Sequence, residues 1–119
     1  MLTGIRNIDR KIVDREVLQL LVAFEVGDTN EIQKKLKLIK GICNSPYGKD
    51  LCPYHFGTTI NEFEYYLEKA IESNNLSSVK YVMSQYKMSP QSLFSYTSFR
   101  LQNKIQNSSP EIRQYFGAI

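Results

Sequence analysis

The stretch YYLEKAIESNNLSSVKYVM, residues 65–83, decides the predicted fold because it combines two short helical patterns with a turn between them. Its second half begins an apolar series spaced i, i+3, i+4 and i+7, which is typical of a helix with one buried face. The members of the series are Val79, Val82, Met83 and Tyr86. Asn74 and Asn75 separate the halves, and asparagine tolerates the left-handed backbone of a tight turn. The stretch therefore predicts a helix–turn–helix unit.

The same pattern recurs on both sides of this stretch. Upstream, the matching positions are Leu20, Ala23, Gly27, Ile32 and Leu36, which correspond in order to Leu67, Ala70, Asn74, Val79 and Met83. Downstream, they are Asn107, Ile112, Tyr115 and Phe116, which correspond to Asn74, Val79, Val82 and Met83. The downstream offset is 33 residues and the upstream offset is 47, so an inserted loop of 14 residues would reconcile them. The chain is predicted to repeat one helical unit.

Length and composition are those of one ordinary globular domain. The 119 residues are 42% hydrophobic and 23% charged, with a net charge of +3. A charge this small permits an acidic partner without requiring nucleic acid. No apolar run approaches the length of a membrane span, and the first residues lack the apolar core of a signal peptide. We therefore expect a cytoplasmic protein that does not enter the membrane, with Cys43 and Cys52 as thiols.

The predicted architecture is all-α, with about six or seven helices joined as stacked hairpins in a single domain, 1–119. Residues 15–26 are apolar almost all round, so this helix should be buried between neighbours. Residues 41–58 contain two prolines and three glycines, which predicts an irregular loop. The remaining predicted helices are a short lead-in within 1–13, one after Asp28, the central pair, one over 90–105, and one over 110–116.

The helix pair Leu67-x-x-Ala70-Ile71-x-x-Asn74-Asn75, followed by Val79 and Met83, resembles an ankyrin repeat. The pattern around Leu20, Ala23 and Gly27 resembles it too, and together these stretches cover about half the chain. The resemblance implies stacked helix pairs whose concave face binds other proteins. The family's Thr-Pro-Leu-His opening is absent. The corresponding residues are Tyr-Tyr-Leu-Glu at 65–68 and Leu-Gln-Leu-Leu at 18–21. A small, non-repetitive helical bundle is the alternative fold.

The sequence contains no convincing catalytic or cofactor motif. Cys52 and His55 have a spacing that suits one metal ion, but structural zinc needs four ligands and Cys43 lies far along the chain. A disulfide between the cysteines is the other alternative to free thiols. Glu64, Glu68 and Glu72 share a helix face, which a solvated surface explains better than hydrolytic chemistry. We therefore expect no enzyme activity, no bound metal and no cofactor.

The favoured function is protein–protein interaction, as an adaptor or scaffold whose partner is another protein or a second copy. Tyrosine is favoured at interfaces because its ring gives contact area and its hydroxyl gives a hydrogen bond, although tyrosines also line small cores. The predicted contact residues come from the loop and the central pair: Tyr47, Leu51, Tyr54, Phe56, Tyr65 and Tyr66. The alternative is binding to nucleic acid or an anionic surface through the lysine-rich helix 33–40, with Lys34, Lys35, Lys37 and Lys40.

Overall fold

The chain folds into six α-helices, as described by a computed structural model for residues 2–53, 59–91, 93 and 98–118. The helices are α1 (Arg6–Val26), α2 (Thr29–Cys43), α3 (Thr59–Glu72), α4 (Leu76–Gln85), α5 (Phe99–Gln106) and α6 (Pro110–Phe116). A 3-10 turn, Gly48–Leu51, follows α2, and residues 90, 91 and 93 are also helical. No strand occurs within these ranges. The all-α prediction is therefore confirmed.

Helix boundaries follow from capping residues in the sequence. The side chains of Asp28, Asn75, Ser98 and Ser109 each accept a hydrogen bond from a backbone N–H in the first turn of the helix that follows. Between paired helices, Gly27 has φ 80° and Asn74 has φ 56°, so both turns use the left-handed conformation. Glycine and asparagine adopt it more readily than other residues, which explains their presence at equivalent positions of the repeated pattern.

The six helices form three neighbouring pairs: α1 with α2, α3 with α4, and α5 with α6. The first helices of the pairs contact one another in the order α1, α3, α5, and the second helices in the order α2, α4, α6. This is the arrangement of a short stack, in which each unit buries its apolar side against the next. The stack is elongated, with principal extents of 48 × 28 × 22 Å.

The core runs along the stack at the positions that the repeated pattern picks out. Each pair contributes fully or almost fully buried side chains: Leu20, Ala23, Ile32 and Leu36 from the first, Leu67, Ala70, Val79 and Met83 from the second, and Leu101, Ile105, Ile112 and Phe116 from the third. In the third pair, Leu101 and Ile105 of α5 therefore occupy the core positions that the first helix fills in the other two pairs.

Polar contacts join each pair to the next at the turns. The Ser78 hydroxyl donates to the Phe24 carbonyl at 2.6 Å, and Asn75 Nδ2 donates to the Glu25 carbonyl at 3.1 Å. At the following junction, the Ser109 N–H donates to Asn74 Oδ1 at 3.3 Å. Because these bonds satisfy groups at helix ends, they fix the spacing of the pairs as well as stabilising the turns.

The acidic face of α3 contributes further contacts at the junction between the second and third pairs. Glu68 accepts a hydrogen bond from Arg100 at 2.9 Å, and Glu72 accepts one from Lys104 at 2.7 Å. Glu64 accepts from the Ser98 backbone at 3.2 Å. These carboxylates thus pair with α5, rather than standing on a purely solvated face as predicted.

Three predicted helix boundaries were wrong. The lead-in and the helix 15–26 are one continuous helix, α1, which begins at Arg6 and runs without a break to Val26. The irregular segment predicted from residue 41 begins later, since α2 continues through Gly41 to Cys43. The helix predicted over 90–105 is interrupted, because Ser98 is extended and caps a separate α5.

Candidate interaction surface

The loop after α2 packs against the molecule and offers little of the surface predicted for it. Leu51 is buried with Val13 and Ile42 in a small second core, so it is not available to a partner. Tyr47 is 41% exposed, but its hydroxyl donates to Asp9 Oδ2 at 2.6 Å. Tyr54 and Phe56, which were also predicted to bind a partner, lie outside the described residues.

Asp9 is one of the groups that hold this loop to the N-terminal residues. Its buried carboxylate accepts from the Thr3 backbone, the Thr3 hydroxyl, the Gly4 backbone and Tyr47, over 2.6–2.9 Å. Burial by itself raises the pKa of Asp9, but the hydrogen bonds, led by that from Tyr47, lower the pKa to about 2. The same bond to Asp9 is the main cause of a raised pKa for Tyr47. The Asp9 carboxylate is therefore charged, and its role is structural.

The cysteines of this region are paired. Cys43 at the end of α2 and Cys52 after the 3-10 turn form a disulfide, with Cα atoms 5.0 Å apart. This differs from the predicted free thiols, because the turn Gly48–Leu51 folds the chain back onto the end of α2. Among the described residues no group of three or more His, Cys, Asp or Glu side chains could hold a metal. His55 lies outside those residues.

The two tyrosines predicted on the central pair have different environments. Tyr66 is completely buried, so its assignment to a contact surface was wrong. Tyr65 is partly buried, with its ring edge-on to that of Tyr66 at 5.4 Å and the Lys69 ammonium 5.6 Å from its centroid. Burial, followed by the charges of Glu68, Glu72 and Asp14, raises the pKa of Tyr65. Adjacent helical positions point about 100° apart, so the two rings face different sides of α3.

The predicted basic face is divided by ion pairs within the molecule. Lys35 is mostly buried and donates to Glu16 at 2.6 Å and to Gln19. Lys40 lies 3.5 Å from Glu62 and 5.3 Å from the centroid of Tyr86. Lys34 and Lys37 are exposed and take part in no ion pair within the described ranges. Two of the four lysines are therefore committed to internal contacts.

A groove of about 370 Å³ lies between α2 and α4. Its lining combines polar and apolar surface, with Lys37 and Lys40 from one side and Tyr81, Gln85 and Tyr86 from the other. Burial raises the pKa of Tyr81, so its hydroxyl stays protonated at neutral pH. The groove can offer ammonium and hydroxyl donors to an anionic group.

The largest departure from expectation is on α1, which is packed on one side only. Leu20, Ala23 and Phe24 are buried, whereas Leu18, Val22 and Val26 are 62%, 59% and 71% exposed. Leu18, Val22 and Val26, called the α1 stripe below, are spaced by four residues and so lie along one line of the helix. The prediction that this helix is buried between neighbours was wrong, because α1 is the first member of the stack and nothing in the described chain covers its outer side.

The α1 stripe borders a shallow groove of about 390 Å³. Its other lining residues are Gln19, Ala23 and three charged residues, Arg15 at one end and Asp28 and Glu31 at the other. The sequence contained a sign of this surface, since a helix that is apolar all round needs a partner on every side. What it lacked was any indication of which side the rest of the chain leaves open.

No helix in the described part of the chain is long and apolar enough to cross a bilayer. Comparisons with models of protein families, with curated proteins and with solved structures found no match.

Proposed function

We propose that this protein is a non-enzymatic protein-binding module, in which a stack of helix pairs presents one face of α1 to a partner. The α1 stripe is the observation that carries the proposal. Its three aliphatic side chains are mostly exposed on a rigid 21-residue helix. Soluble proteins seldom leave aliphatic side chains in a continuous line on the surface unless the surface binds something, because water contact with apolar atoms is unfavourable.

The partner of such a surface is a protein rather than a small molecule. The groove beside the stripe is shallow and open, whereas small-molecule sites are concave and bury most of the ligand. Apolar residues at i, i+4 and i+8 match the way in which one helix packs along another. An adaptor or scaffold role follows from this surface.

The resemblance to ankyrin repeats remains part of the proposal. It is supported by the stacking of first helices on first helices, and by left-handed turns at Gly27 and Asn74 in equivalent positions. In such stacks the outer side of a terminal unit is normally polar. The α1 stripe departs from that rule, which favours a binding role for this end of the stack.

Photo-crosslinking tests the proposal. A benzoylphenylalanine replacing Val22 should capture a protein, either in lysate or in the purified sample, because it lies in the middle of the stripe. The same group at Asn103, which is exposed on α5, is the control and should give no specific product. Absence of any protein product from position 22, in lysate and in purified protein alike, would contradict the proposed function.

The second candidate is binding of an anionic surface or nucleic acid at the groove between α2 and α4. Its support is the presence of exposed Lys37 next to Tyr81 and Tyr86 in this groove, with exposed Lys34 on the same helix. Since only two of the four lysines in the predicted basic face, Lys34 and Lys37, are outside the ion pairs of the described residues, a duplex should bind with a shallow dependence on salt, with a logarithmic slope of about −2. Replacing Lys34 and Lys37 by Glu should abolish duplex binding. Binding that persists in this variant with a steeper salt dependence would contradict the assignment of the site to these lysines.

A cytoplasmic location also remains a prediction. The disulfide between Cys43 and Cys52 weighs against it, because the cytosol keeps most protein thiols reduced.

A further inference from the structure

The groove between α2 and α4 is long, and hydrogen-bonding groups lie on both of its sides. On the α2 side its lining residues recur every three or four positions and so share one face of the helix. They are Gln33, Leu36, Lys37, Lys40, Gly41 and Asn44. The stretch from position 33 to position 44 spans roughly 16 Å at about 1.5 Å per residue. An extended peptide rises about 3.3 Å per residue, so about five of its residues fit along the groove.

One lysine supplies the net charge of this groove. Lys37 is exposed and takes part in no ion pair within the described ranges. Lys40 lies 3.5 Å from the Glu62 carboxylate, which balances its charge. None of the described lining residues is acidic. Nucleic acids bind mainly through several phosphate contacts, whereas a protein segment can place a single carboxylate on a single ammonium group. The charge of the groove therefore matches an acidic peptide better than a nucleic acid.

Amide side chains lie near both ends of the groove and on its α4 side. Gln33, Asn44 and Gln85 are exposed, and each amide offers two donors and one acceptor oxygen. An extended peptide presents an N–H and a C=O at almost every residue, so it can use both kinds of group. The phosphate oxygens along the backbone of a nucleic acid only accept hydrogen bonds. The amides therefore also favour a peptide.

The α4 side of the groove is held in place by contacts within the molecule. The Tyr86 hydroxyl donates to the Glu62 carboxylate at 2.5 Å, and the Tyr86 ring centroid lies 5.2 Å from that of Phe63. The Lys40 ammonium lies 5.3 Å from the same Tyr86 centroid. Because this wall is already ordered, binding a ligand there adds little cost in side-chain entropy.

We infer that this groove binds an extended, acidic segment of another protein. One carboxylate of the segment lies on the Lys37 ammonium, and its backbone lies along the α2 face between Gln33 and Asn44. In an extended chain every second side chain points to the same side, so acidic residues at alternate positions present their carboxylates towards α2. The inference rests on the second candidate function, which places an anionic group in this groove, and it names that group as a peptide carboxylate.

A titration of the isotope-labelled full chain, followed by its amide chemical shifts, tests the class of ligand. The probe is a short peptide of alternating glutamate and serine, which should shift signals of α2 and α4 with a dissociation constant of about 0.1–1 mM at low salt. A peptide of the same length with alternating glutamine and serine lacks the charge, and it should bind at least about 5-fold more weakly. Equal binding of the two peptides would overturn the inference.

The variant Lys37→Gln tests where the carboxylate lies. Because Lys37 is exposed, the variant should keep the circular dichroism and thermal midpoint of the wild type. It should bind the glutamate peptide at least about 5-fold more weakly, because it removes the uncompensated charge of the groove. Lys34→Gln is the matched control, since it makes the same change at an exposed position of α2 that does not line this groove. The control should change binding less than about 2-fold, and equal losses in the two variants would overturn the site.

The outcomes separate this inference from the second candidate function. Oligothymidylate, or vesicles containing phosphatidylserine, may be titrated against the same signals of α2 and α4. A response to either of these, without binding of the glutamate peptide, would overturn the inference and leave the second candidate standing. No response to any of the three probes would contradict both. Peptide binding that Lys37→Gln weakens and Lys34→Gln leaves unchanged would support both.

Discussion

One buried carboxylate, Asp9, connects the N-terminal residues to the loop after α2. Its pKa of about 2 in the folded protein lies below the ordinary value of 3.8. Folding therefore favours the charged form, and the stabilisation is present above about pH 4 and is lost as the pH falls towards 2. Asp9→Asn should lower the urea midpoint at pH 7, and the difference from wild type should narrow between pH 4 and pH 2. Urea titrations over this pH range measure the difference in midpoint between the variant and the wild type. A difference that does not change with pH would contradict the role of the Asp9 charge.

Gly27 shows how one residue sets the distance between neighbouring helix pairs. Its φ of 80° disfavours other residues, and a Cβ at this position would lie 2.8 Å from Asn75 Nδ2. Gly27→Ala should therefore reduce the free energy of unfolding by about 1–2 kcal/mol. Gly41→Ala is the control, since Gly41 lies within α2 and a Cβ there has open space. That change should stabilise by about 0.5–1 kcal/mol. Chemical denaturation measures the free energy of unfolding of both variants. A change of the same sign in the two variants would contradict the role given to the left-handed backbone of Gly27.

Among the secondary-structure elements, the 3-10 turn is held to the end of α2 by the disulfide. Cys43 and Cys52 are nine positions apart, so the bond closes a short loop and restricts the unfolded chain. Reduction, or the variant Cys43→Ser with Cys52→Ser, should lower the free energy of unfolding by about 2–3 kcal/mol. Thiol titration of the denatured, unreduced protein should find no free thiol from this pair. Two reactive thiols in protein purified without reductant would contradict the disulfide.

The elements also show how far prediction from sequence could go. Caps and turns depend on neighbouring residues, so the starts at Asp28 and Ser109 and the left-handed turn at Asn74 were predictable. The contact between Asp9 and Tyr47 was not, because the two residues are 38 positions apart. Apolar character placed Leu20 and Val22 alike in the core, whereas the fold buries one and exposes the other. Exposure depends on which neighbours the stack provides, and a local pattern does not contain that information.

Prediction of the candidate surface was limited for the same reason, because a local pattern does not show which residues the fold buries. Tyr66 and Leu51 were chosen because aromatic and apolar residues are frequent at interfaces, and the fold uses both in its cores. The α1 stripe consists of aliphatic residues that a sequence pattern assigns to the interior. It becomes a candidate only when the position of α1 at the end of the stack is known.

At the scale of the molecule, a stack of pairs predicts that stability varies along its length. Each pair contacts its neighbours, and the last pair has short helices, α5 of eight residues and α6 of seven. Stability in such an arrangement is a sum of unit and junction contributions, so the last pair should open without the first. Amide exchange in α5 and α6 should accordingly be faster than in the buried turns of α3.

The variant Ile112→Ala makes this prediction quantitative. Ile112 is fully buried in α6, so truncation should cost about 2–4 kcal/mol. Since α6 contacts α4 and α5 but the first pair is further along the stack, exchange should accelerate in α5 and α6 and remain near wild type in α1 and α2. Ile32→Ala, an equally buried change in α2, is the control and should accelerate exchange in α1 and α2. Uniform acceleration across all six helices in both variants would instead indicate a single cooperative unit, and the junctions joined by Ser78 and Ser109 would then transmit the loss along the whole stack.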